Sequence, residues 1–143
     1  KAIAKTILAK AGTGCSFIGN TTVEVKDTEN FSSNPPVYTV KFLRPSLVTV
    51  FFKVTVEDMT LLSSKDEQTI KDAIVSALTT GNAKARIGQR VIASRLICVV
   101  SNAVPHLAIV AIEVGRSTLA YAGLMDVGID EFPVTSQYQI NIT

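Results

Sequence analysis

The sequence predicts an α+β fold: two helices packed on a mostly antiparallel sheet, preceded by a small N-terminal β-layer with a short helix. Three observations predict it. Short stretches of strand-like alternation lie on both sides of a central block in which apolar spacing turns helical. The two main helices follow one another instead of alternating with strands, which separates the pattern from a doubly wound sheet. Pro45, which cannot donate to a ladder, divides a β-rich opening from the rest, so residues 1–45 form the N-terminal layer and 46–143 the main domain.

Ala2, Ile3, Thr6, Ile7 and Lys10 define a short helical face that Gly12 and Gly14 terminate, and a turn follows at Gly19-Asn20. Residues 21–27 alternate, placing Val23 and Val25 on one face of a half-buried strand. Residues 38–43 alternate again, and the two stretches are expected to pair antiparallel around the loop 30–36. Beyond Pro45 a long central strand is expected from Ser46 or Leu47 to Glu57, with Val48, Val50, Phe52, Val54 and Val56 sharing one face. Ser64 and Glu67 have capping-box spacing ahead of Ile70, Ala73, Ile74, Ala77 and Leu78, and Gly81-Asn82 gives the stop. A second helix is expected over 91–103. Its polar strip is narrow, so it is expected to be buried. After Pro105, residues 107–114 predict a strand with Ala108, Val110, Ile112 and Val114 on one face, and further strands are expected near 124–130 and 137–142.

Hydrophobic residues make up 47% of the 143 and charged residues 18%, below the usual quarter or so. That leaves little charge to solvate a surface, and part of the surface is expected to be covered by partners. The net charge of +2 is scattered, without the basic stripe that nucleic-acid binding requires. The apolar stretch 91–114 is interrupted by Arg95, Asn102, Pro105, His106 and Glu113, so membrane insertion as one helix is not expected. Residues 1–10 lack the apolar run of a secretory signal, and without a starting Met the chain reads as a piece of a longer protein. Cys15 and Cys98 lie in unlike settings and are expected to be free thiols.

Chemistry has few candidates. His106 is the single histidine, too few for a metal site; a Ser-His-Asp or Cys-His triad would have to use it, and no G-x-S-x-G elbow accompanies it. Asp66, Glu67 and Asp72 suit a helix N-terminus electrostatically. Asp126 and Asp130 would share a face if 124–130 were extended, the one arrangement here open to a glycosidase-like pair or a cation. The stretch Gly12 to Gly19 has no Gly-Lys-Ser/Thr after it and is expected to be a turn, not a phosphate loop. Asn20, Asn30 and Asn141 fit the glycosylation pattern and are discounted for want of a secretion signal. No catalytic, cofactor-binding or metal-ligating residue is assigned, and the chain is not expected to be an enzyme. A carbohydrate-binding or receptor-binding module is the alternative suggested by the β-rich pattern, against which stand 6% aromatics and no Trp.

Ala11-Gly-Thr-Gly, Gly19-Asn20-Thr-Thr-Val-Glu-Val, Tyr38-Thr-Val-Lys-Phe and Arg44-Pro45 are followed by Ile70-Lys71-x-Ala73-Ile74, Ile87-Gly88-x-x-Val91, Ala93-Ser94-Arg95-Leu96 and Val104-Pro105. In that order they resemble the phage baseplate J-like family, over most of residues 11–114. The resemblance implies the C-terminal portion of a structural subunit of a contractile tail baseplate, from a phage, a prophage or a related injection system. Such a subunit is made in the host cytoplasm, sits in the virion tail baseplate, and has other wedge proteins and copies of itself as partners. It carries over no catalytic residue. Residues 116–137 match no motif of the family.

Overall fold

The computed structural model describes residues 2–11, 14–81 and 83–143, and the chain forms two compact units, Lys1–Arg44 and Pro45–Thr143. The predicted stops at Gly12 and Asn82 lie outside the described residues.

The first unit consists of α1 (Ala2–Lys10) and the antiparallel pair β1 (Thr21–Lys26) and β2 (Val37–Phe42), with Thr21 opposite Phe42 and Lys26 opposite Val37. Its core is thin: Ala4, Val25 and Val40 are buried, ringed by Ile7, Leu8, Phe17, Val23 and Phe42. The helical stripe facing the valines is Ala4, Ile7 and Leu8, three to four residues apart, while Ile3 points to solvent, a shift from the predicted face. Two separate sequence features turn out to be one structure. A Cβ on Gly19 would stand 2.1 Å from the Phe42 carbonyl carbon, so glycine alone fits beneath that backbone. Next to it, the Asn20 Nδ2 donates to the Arg44 carbonyl at 2.9 Å, and the Arg44 N–H donates back to Asn20 Oδ1 at 2.8 Å. The pair of bonds closes the hairpin beyond its last ladder position. The Arg44 guanidinium lies 5.6 Å from the centre of the Phe42 ring, where the ring face attracts a cation.

The second unit opens with β3 (Ser46–Thr49) and β4 (Phe51–Val56), then a 3₁₀ turn at Met59–Leu61 and α2 (Ser64–Thr79). β5 (Val91–Ile92), α3 (Ser94–Ala103), β6 (Ile109–Ser117), β7 (Ala120–Ala122), β8 (Leu124–Met125) and β9 (Glu131–Val134) follow, and after a 3₁₀ turn at Gln137–Gln139 comes β10 (Ile140–Ile142). The main sheet has the order β10-β4-β6-β7. β10 joins β4 parallel, the other pairings of this sheet are antiparallel, and β3–β9 is a separate parallel pair. The class is α+β with mixed sheets, as the sequence predicts, and the parallel pairs are an addition to it.

The long strand predicted beyond Pro45 is interrupted at Val50 because its neighbour changes there: β3 runs beside β9, β4 beside β10 and β6. Val50 makes the handover, its N–H donating to Val134 O and its carbonyl accepting from the Thr135 hydroxyl. The predicted alternation survives the break, and Val50, Phe52, Val54 and Val56 are all buried. In β6 the phase shifts instead. Val56 pairs with Ile109 but Thr55 with Ala111, so Val110 is the extra residue of a β-bulge and is exposed, while Ile109 packs against the core.

Both helices lie against this core through Ile70, Ile74, Leu96 and Val100. The capping box of α2 is Ser63 with Asp66, one residue before the predicted pair, and Glu67 instead bonds Lys71 one turn on. α3 is shorter than predicted because Val91 and Ile92 pair with β8. Nor is it buried on most sides: Leu96 and Val100 are covered, whereas Arg95, Cys98 and Asn102 face water, as the outer layer of a two-layer unit requires. The predicted strand at 124–130 ends at Met125, and β7 and β9 flank it.

Candidate functional site

The segment 116–131 is organised by Arg116. From the end of β6 its guanidinium grips Glu131 through both carboxylate oxygens, at 3.1 and 2.6 Å, and also donates to the Asp126 carbonyl at 2.9 Å. The fork of a guanidinium matches a carboxylate in this way. Glu131 accepts a further bond from the Gly128 N–H at 2.7 Å. The Arg116 bonds first, and then the Gly128 amide, hold the Glu131 carboxyl down at about 2. The reciprocal bond raises the Arg116 pKa. The Gly128–Glu131 turn is thereby tied to the sheet, and from its far side the Glu131 carbonyl accepts the Gly88 N–H.

This arrangement replaces the carboxylate pair that the sequence suggested. Because β8 stops at Met125, Asp126 and Asp130 do not share a strand face. Asp126 is bound by Arg90 at 2.6 Å, and Asp130 contributes its backbone carbonyl, which accepts the Ser46 N–H at the start of β3. Glu131, which stands beside Asp126 and Asp130 in the sequence but outside the pair expected there, is the carboxylate with the most partners in this segment; the spacing Gly128-x-x-Glu131 after a strand is the available signal.

The remaining candidates are dispersed. His106 Nε2 stands 3.3 Å from Asp66, whose carboxyl is held below its ordinary value chiefly by the Ser63 hydroxyl in the capping box. Asp72 accepts from Gln68 and Gln137. Cys15 and Cys98 are free and exposed. Asn30 folds onto Asp27, and its side-chain and backbone N–H groups lower that carboxyl. Among the described residues no three His, Cys, Asp or Glu side chains group as metal ligands, and no helix is long and apolar enough to cross a membrane.

Several hollows open among the described residues, including a shallow one of about 630 Å³ over β1 lined by Lys5, Glu24, Lys26 and Val37. In the first unit a groove of about 440 Å³ runs between α1 and β1, with Lys5, Lys26, Cys15 and Tyr38 on its walls. In the second, an apolar cleft of about 190 Å³ lies between the end of α2 and β9, lined by Leu78, Val91, Phe132 and Val134. The cleft is small beside ligand pockets of roughly 300–1,000 Å³.

The surface is apolar at scattered, strongly projecting points. Leu119 is 94% exposed, Ile129 88% and Tyr138 95%, and Leu47, Leu61 and Val110 are exposed on other elements. Single exposed apolar residues are ordinary, and Leu119, Ile129 and Tyr138 are large side chains left almost wholly in water. No family model matches the chain, and no curated protein matches it.

Proposed function

We propose that this chain is a structural assembly subunit without a catalytic centre, belonging to the baseplate of a phage tail or related contractile injection device and held there by other wedge proteins and copies of itself. The observation that carries the assembly reading is the set of large side chains, Leu119, Ile129 and Tyr138, left almost wholly in water on a unit whose core is already filled by others. Low charge supports it, since 18% charged residues solvate a fully exposed surface poorly. The baseplate assignment rests on the ordered motifs. Gly19-Asn20 and Phe42-x-Arg44 interlock as one hairpin closure, which suits motifs that build a fold and not motifs that do chemistry.

Co-expression of the full chain with the wedge proteins encoded beside it, followed by tagged purification and light scattering, tests the reading. A stable complex of defined stoichiometry is expected. A chain that stays monomeric and retains no tail component overturns it.

A further inference from the structure

The second unit has two ends, defined by its strands. β3 and β9 begin at one, where β6 finishes, α2 terminates and α3 starts. The other holds the end of β4, the start of β6 and the first turn of α2. Large apolar side chains project at both. At the first end these are Leu47 in β3, Leu119 in the β6–β7 turn and Ile129 just before β9, with Ile87 beside the Gly88 that bonds Glu131. At the second they are Met59 and Leu61 in the 3₁₀ turn and the bulge residue Val110.

The ends are also opposite in charge. Between the close of α2 and the start of α3, residues 80–95 hold Lys84, Arg86, Arg90 and Arg95 and no carboxylate. With Arg116 and the facing Asp126, Asp130 and Glu131, this end has five cations against three carboxylates. At the second end, residues 57–67 hold Glu57, Asp58, Asp66 and Glu67 against Lys65, with Lys71 reaching Glu67 from the next turn of α2 and His106 beside Asp66, so carboxylates still outnumber lysines four to two. An end meeting its own like would set equal charges face to face, which costs affinity; an end meeting its opposite pairs them.

We propose that copies of this chain associate head to tail, the cationic apolar end of one second unit seating on the acidic apolar end of the next. The contact is heterologous, so it propagates until geometry closes it or a different partner caps it. The proposal rests on the assembly reading and names one of its partners, a second copy.

Sedimentation velocity of the full chain over a range of concentrations tests it. The mean mass is expected to rise with concentration and to rise less in high salt, where charge complementarity is screened. The double variant Leu119→Ser with Ile129→Ser alters one end, and Met59→Ser with Leu61→Ser alters the other. Each is expected to weaken self-association by about tenfold or more, from the apolar area no longer buried. Mixed in equal amounts, the two should form a species of two chains and nothing larger, because only one intact pair of opposite ends remains. Circular dichroism and the melting midpoint verify folding, and the single variants Leu119→Ser and Leu61→Ser replace any double variant that unfolds. Association abolished at one end and untouched at the other, a mixture that stays monomeric, or a wild-type chain monomeric at every concentration overturns the proposal. A monomer that still binds wedge proteins leaves the baseplate reading standing, and head-to-tail association without wedge binding does the reverse.

Discussion

Gly115 sits in β6 where β7 folds back over it, and a Cβ there would lie 2.0 Å from the Ala120 carbonyl oxygen. Backbone cannot yield as a flexible side chain can, so Gly115→Ala is expected to cost about 1–3 kcal/mol, the usual range for overpacking. Urea denaturation measures it, and an unchanged midpoint would mean that β7 does not pack so closely. Glu131 gives a pH signature. Its folded pKa of about 2 is below its ordinary 4.5, so its contribution is complete above that ordinary value and is lost as pH falls toward 2. Glu131→Gln removes the charge, and the gap in melting midpoint between wild type and variant should be widest near neutral pH and shrink over that acidic window. A gap constant with pH would refute the ion pair as its source.

Among the elements, α2 offers a direct comparison. Ser63 and not Ser64 caps the helix, so Ser63→Ala should cost about 1 kcal/mol and Ser64→Ala less than about 0.5 kcal/mol by chemical denaturation. Equal losses would contradict the cap assignment. The bulge in β6 allows a bolder test. With Val110 deleted, Ile109 would still face Val56 and Ala111 would still face Thr55, in regular alternation. The shortened protein should therefore fold with near-native circular dichroism, whereas deletion of Ile112 should unfold it by turning buried positions outward. Both results trace to what periodicity can and cannot say. Runs such as Val50 to Val56 and Ile70 to Leu78 were legible because one face of each is buried, and burial writes period into sequence. The stop at Met125 and the strands β7 and β9 were not, since each is set by partners outside its own segment: β6 for β7, β3 for β9, and the Arg116 bonds to Asp126 and Glu131 for the stretch between. The cap misplaced by one residue has a local cause: Ser63-Ser64 and Asp66-Glu67 offer two equally spaced boxes.

At the scale of the molecule, the two units differ in how much they bury. Among the described residues the first buries only Ala4, Val25 and Val40, while the second buries side chains from sheet and helices alike. Local opening free energy follows buried apolar contact, so amides of β1 and β2 should exchange with deuterium well before those of β4 and β6. Equal protection across all four strands would count against two unequal cores. The α+β class could be read from the chain because it depends on the order of elements. The pairing partners of β3 and β4 could not, since nothing local to residues 46–56 names a neighbour that far along the chain. Ser46 bonds Asp130 across 84 positions and Val50 bonds Thr135 across 85. At a translation rate of about 5–20 residues per second, a ribosome needs roughly 4–17 s to make the span between them. Throughout that interval the nascent β3 and β4 wait with one edge unsatisfied, and the pace of synthesis, more than the stability of the finished protein, sets how long that edge is open to the wrong strand.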